Sequence, residues 1–91
     1  MRWEEKISGG KLVCVEVSAD GETVAKVRIS GDFFLHPEEK IAEIERSFEG
    51  IPLSSGEAEI LARLEAALGA AELVGVSAGD LARMFRKAVD G

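Results

Sequence analysis

The side chains best equipped for chemistry in this chain are its single cysteine, Cys14, and its single histidine, His36. A thiol beside an imidazole can act as a nucleophile, because the imidazole accepts the thiol proton and leaves a sulfur anion. Cys14, however, falls inside an alternating run, where the plainer reading is a small core residue, and His36 stands at the entry to a helix. Structural zinc needs about four close ligands, and one Cys with one His do not supply them. Gly9-Gly10-Lys11 lacks the upstream glycine spacing and the following Ser or Thr of a phosphate loop, so it reads as a turn entering a strand. No glycine pattern matches a dinucleotide fingerprint. The carboxylate pairs Glu4/Glu5, Glu38/Glu39, Glu43/Glu45 and Glu57/Glu59 would serve acid–base catalysis only if held in an apolar or charged pocket. Their placement instead reads as solvated surface.

One segment departs from an amphipathic pattern. Ser30-Gly31-Asp32-Phe33-Phe34-Leu35 sets adjacent aromatics after a Gly-Asp pair, where strand becomes helix. Gly31 permits a bend, Asp32 is placed to bond nearby amides, and Leu35 to pack near Ile41 at the helix entry. Consecutive residues of an extended segment face opposite ways, so one of Phe33 and Phe34 enters the core while the other is a candidate docking contact.

The elements that position these residues follow from periodicity. Lys11–Ser18 and Thr23–Ser30 alternate with a period of two, Ala25, Val27 and Ile29 on one face and Lys26 and Arg28 on the other. A three-residue loop, Ala19-Asp20-Gly21, would pair Val17 with Thr23, Val15 with Ala25 and Val13 with Val27, setting both apolar rows on one side. Ser8-Gly9-Gly10 reads as an earlier reversal, making Trp3–Ile7 a first strand. Proline and two carboxylates at Pro37-Glu38-Glu39 open a helix carrying Ile41, Ile44 and Phe48, which Gly50 closes. Ile51-Pro52-Leu53 is a linker. Ser54 and Glu57 form a capping box for a second helix with Ile60, Leu61, Leu64 and Leu68, ended by Gly69. Leu73-Val74-Gly75-Val76 is an apolar connector, and Ser77 with Asp80 caps a last helix burying Leu81, Met84, Phe85 and Ala88. The fold class is therefore α+β, a three-stranded antiparallel meander with about three helices on one face.

Composition bounds the function. Residues 1–91 make one domain, 46% hydrophobic and 31% charged, which is globular rather than disordered. A domain this small buries only about 60–65% of its unfolded surface, so a deep catalytic pocket is hard to wall and surface-mediated functions are favoured. Net charge is −6, from 17 acidic and 11 basic side chains with no basic block, which argues against nucleic acid and anionic membranes. No apolar run approaches a membrane span and no signal peptide is evident, so a soluble, cytoplasmic protein is expected. The absence of Asn and Gln beside abundant Glu and Arg suits a hot-growing organism, although a GC-rich genome biases composition too.

Residues 8–50 carry a resemblance. The turn and strand Ser8-Gly9-Gly10-Lys11-Leu12-Val13, the following hairpin, Ile29-Ser30-Gly31-Asp32-Phe33-Phe34-Leu35-His36-Pro37-Glu38-Glu39, and a helix containing Ile44-Glu45 resemble the C-terminal domain of bacterial and archaeal lipoate–protein ligases. The second half matches mainly in helical layout. The resemblance implies an accessory subunit working beside a separate catalytic subunit as a heterodimer. That partner would hold ATP, Mg and lipoate, make lipoyl-adenylate, and transfer the lipoyl group to a lysine of acceptor proteins. No lipoate pocket or nucleotide loop is expected in this chain, and no cofactor bound by it alone. Gly31, Asp32, Phe33, Phe34 and Pro37 are the family-motif and candidate docking residues. Lys11, Lys26 and Arg28 are candidates for contact with the partner's active site. Two other readings stand beside this one: an adaptor with no part in lipoylation, and a small enzyme using Cys14 and His36.

Overall fold

The computed structural model describes residues 1–7, 9 and 11–91. Strands β1 (Arg2–Ile7), β2 (Lys11–Asp20) and β3 (Thr23–Gly31) form an antiparallel sheet in the order β1-β2-β3. Of the reversal expected at Ser8-Gly9-Gly10, Ser8 and Gly10 lie outside the described residues. Helices α1 (Lys40–Arg46), α2 (Glu57–Leu68) and α3 (Ala78–Asp90) complete the expected α+β architecture. Helix α3 covers β1 and β2, α1 covers β3, and α2 packs against both helices. Two further strands, β4 (Phe34–His36) and β5 (Glu72–Val74), pair as a separate ribbon. Strand β5 overlaps the expected connector Leu73-Val74-Gly75-Val76, since a three-residue strand shows too little alternation to declare itself.

The β2–β3 register differs from expectation. Val17 pairs with Val27, Val15 with Ile29 and Val13 with Gly31, and the loop is Gly21-Glu22. Gly21 has a φ of 64°, and a positive φ at the first of two loop residues suits a type II′ hairpin. A bulge does the work assigned to the longer loop. Ser18 pairs with Lys26 and Ala19 with Val24, so Ala25 is an extra residue that reverses the alternation. Val24 thereby joins Val27 and Ile29 on the buried face, while Ala25, expected inward, is exposed.

The open edge of β3 is closed by segments from later in the chain. Ile51-Pro52-Leu53, expected as a simple linker, lies along it: Val24 N–H donates to Ile51 O, Gly50 N–H to Val24 O (both 2.8 Å) and Leu53 N–H to Glu22 O (2.9 Å). Farther along, the Glu45 carboxylate accepts the Ile29 N–H at 2.8 Å. Glu45 is thus a structural cap on a sheet edge rather than solvated surface charge, and covering an edge in this way also guards against strand addition.

The helix boundaries also shift. The helix expected to open at Pro37 begins at Lys40. The His36–Pro37 peptide is cis, and the Pro37 and Glu38 carbonyls accept from Lys40 and Ile41 at 3.1 Å in turns that precede the helix. Helix α1 ends at Arg46, with turns carrying the chain to Gly50. The capping box expected at Ser54 and Glu57 is not formed. Gly56 is the N-cap of α2, Ser55 Oγ donates to Pro52 O at 2.7 Å, and the Arg86 guanidinium donates to the Leu53 and Ser55 carbonyls. A side chain from α3 therefore organises this entry, which local sequence does not show. At α3 the expected box is present: Asp80 N–H donates to Ser77 Oγ at 3.0 Å, and Ser77 N–H to Asp80 Oδ2 at 3.1 Å.

The core lies between sheet and helices. Val13, Val15, Val17, Val24, Val27 and Ile29 from the sheet meet Ile44, Phe48, Ile60, Leu64, Leu81, Met84, Phe85 and Ala88. Phe48 and Phe85 stack with centroids 5.6 Å apart, tying the turn after α1 to α3. Cys14, expected as a core residue, is buried but lies on the sheet's outward face opposite Glu4 and Ser30, outside the core cluster.

Candidate functional site

Residues 31–37 run from the end of β3 through β4 and past it, and the structure gives each a distinct task. Gly31 has a φ of 140°, and a Cβ there would collide with Leu12 O and stand 2.7 Å from Val13 Cα. Only glycine lets β3 approach β2 this closely at the strand end. Asp32 acts through its backbone, its N–H donating to Leu12 O at 2.8 Å. Among the described residues no amide donates to its carboxylate, contrary to the role expected for it.

Phe33 and Phe34 part as alternation requires. Phe33 packs against the core cluster, while Phe34 is 70% exposed. Leu35 is buried and Ile41 packs against the same cluster, as expected at the helix entry. Phe34 pairs across the ribbon with Val74, itself 51% exposed. Val74 is the site residue that sequence reasoning missed. Its only local signal was a β-branched side chain between Leu73 and Gly75, and its meeting with Phe34 depends on a pairing between distant parts of the chain.

The cationic candidates separate. Lys11 lines a surface depression with Gly31, Asp32, Phe33 and Phe34. Lys26 and Arg28 lie elsewhere, on the outward face of the β2–β3 hairpin, lining a depression with Glu16 and Ser18. Glu16 pairs with Arg28 across the strands, so that face is of mixed charge. Pro37 is exposed just beyond β4.

His36, expected at a helix entry, is the exposed last residue of β4 and pairs with Glu72 of β5. Cys14 belongs to the other sheet, and among the described residues no hydrogen bond joins the two. No group of three or more His, Cys, Asp or Glu among the described residues is arranged to hold a metal ion. No helix is long and apolar enough to cross a membrane.

The most strongly perturbed acid is structural. Glu5 on the inner side of β1 accepts two bonds from Arg83 of α3, at 2.7 and 2.6 Å, and a third from Trp3 Nε1 at 2.9 Å. The Arg83 hydrogen bond, then that of Trp3, hold its carboxyl at about 2, against its partial burial. Lys87 of α3 sits 5.7 Å from the Trp3 ring centroid. This cluster fastens the last helix to the first strand.

No protein-family model matches the sequence, and no curated protein matches it. Among solved structures the chain is similar to one in a structural analysis of an archaeal lipoylation system, a bi-partite lipoate protein ligase and its E2 lipoyl domain from Thermoplasma acidophilum. The match has a TM-score of 0.74 and 24% identity, and it covers 94% of this chain and 96% of that one. At this identity the likeness shows a shared α+β fold.

Proposed function

We propose that this chain is the accessory, non-catalytic subunit of a two-component lipoate–protein ligase. The observation that carries the reading is the near end-to-end likeness to a chain of almost the same length from a bi-partite ligase system. The resemblance of residues 8–50 to the ligase C-terminal domain supports the same assignment. The partner would bind ATP, Mg and lipoate. The lipoate carboxylate would attack the α-phosphate there with loss of pyrophosphate, and the lysine amine of an acceptor protein would then take the lipoyl group from the adenylate, forming an amide and releasing AMP. This chain would contribute position: by docking on the catalytic chain it restrains mobile loops and excludes water from the adenylation site. A net charge of −6 makes it a poor ligand for a triphosphate, which leaves Lys11, Lys26 and Arg28 as the cationic groups to test for phosphate contact. Dependence on ATP fits a cytoplasmic location.

The decisive experiment measures pyrophosphate release from ATP and lipoate by the catalytic chain with and without this protein. Equal rates defeat the proposal. Stable co-purification with no change in rate would instead favour an adaptor. The structural analysis that includes the similar chain also covers an E2 lipoyl domain, so the same reactions should be analysed by mass spectrometry. A lipoyl group on Lys6, Lys11, Lys26, Lys40 or Lys87 would make this chain the acceptor. Two of these are engaged already, Lys40 paired with Glu43 at 2.9 Å and Lys87 beside Trp3.

A further inference from the structure

The β4–β5 ribbon carries an apolar pair that none of the described residues covers. Phe34 and Val74 stand opposite each other on its outward face, 70% and 51% exposed. An aromatic left this open forgoes burial free energy that a partner would recover. The surroundings are acidic. Asp32 and Glu38 line the depressions that flank Phe34, and Glu72 shares the outward face with Val74; Lys11 is the one cation lining those depressions among the described residues.

We infer that this ribbon is the surface by which the chain docks on the catalytic subunit, Phe34 entering an apolar pocket rimmed by lysine and arginine. The inference rests on the accessory-subunit reading and adds where and how the contact is made. An aromatic anchor within a polar rim is the anatomy of an interface hot spot. Asp32 and Glu38 stand against Lys11 in the depressions, and Glu72 lies beside His36 on the ribbon face. Acids thus outnumber the one lysine and select a basic rim on the partner, in keeping with the net charge of −6. A second copy of this chain is the poorer occupant. A two-fold contact would set the same acids against one another at the edge of the patch. Phe34 and Val74 anchor a larger contact, since a stable interface covers about 800 Å² on each partner.

The test titrates the full-length protein into the ligase catalytic chain encoded in the same genome, by calorimetry, alongside the adenylation assay. Phe34→Asp is expected to weaken binding about 30-fold or more, a hot-spot loss, while its melting temperature stays at the wild-type value because the site is exposed. Should Phe34→Asp melt early, Val74→Lys and the double variant Glu38→Lys/Glu72→Lys carry the test, each expected to weaken binding, and wild-type affinity is expected to fall with added salt. If the wild type binds and stimulates adenylation while all these variants bind equally well, the ribbon is not the docking surface and the functional reading stands. If the wild type does not bind the catalytic chain, both fall. Light scattering that shows a wild-type dimer, abolished by Phe34→Asp, would assign the patch to a second copy and overturn the inference.

Discussion

Gly31 and Glu5 show how much single residues decide in a small domain. Gly31 lies where a φ of 140° coincides with contact against the β2 backbone, so Gly31→Ala meets two penalties, a strained conformation and a Cβ with no room. The expected cost is about 2–4 kcal/mol, read as a lower urea midpoint with an unchanged slope. For Glu5 the sign follows from its lowered pKa. The folded protein holds the carboxyl at about 2 while its ordinary value is 4.5. Its ion pair with Arg83 therefore stabilises the fold fully above about pH 4.5, and that contribution is lost as pH falls toward 2. Unfolding curves over that interval should show the wild type losing stability more steeply than Glu5→Gln. Parallel curves would mean that the Arg83 pair does not stabilise the fold.

The helix entries separate what local sequence can write from what packing imposes. At α3 the serine three residues before an aspartate forms the box that its spacing announces. Ser77→Ala should therefore cost about 1 kcal/mol in chemical unfolding. At α2 the same serine-to-acid spacing forms no cap, because the chain from Leu53 to Ser55 is bound by Arg86 and the helix starts after Gly56. Ser54→Ala should accordingly lie within about 0.5 kcal/mol of wild type. Equal losses at the two serines would contradict the assignment of the caps. Glu45 makes the same point for the sheet: on its own helix it reads as solvated charge, and only β3 passing beside it turns the carboxylate into an edge cap.

In the whole molecule, one aromatic pair ties the turn after α1 directly to α3. Phe48 and Phe85 are both almost wholly buried. Phe48→Ala should cost about 3–5 kcal/mol, a large share of the roughly 5–15 kcal/mol that holds a domain together. Thermal unfolding is the check, with a fall of about 4–8 °C expected for each kcal/mol lost. A small shift would mean that neighbouring side chains fill the space. Near this limit, burial and function compete for the same few apolar residues, which makes an exposed phenylalanine at position 34 costly unless it serves a contact.

Periodicity and caps were enough to establish the α+β class, the three-stranded meander, the buried stripe of α3, and the opposite fates of Phe33 and Phe34. All of these depend on residues a few positions apart, whose relations are set by the repeat of a strand or a helix. Tertiary structure alone decided the rest. The bulge at Ala25 reset the β2–β3 register because the sheet had to bury Val24 with Val27. Arg86 chose the start of α2. Pairing of β4 with β5 brought Val74 to Phe34, uniting two segments in a patch that neither displays by itself. Each of these is a contact between residues far apart in the chain, and its energy depends on a geometry that exists only after the core has formed.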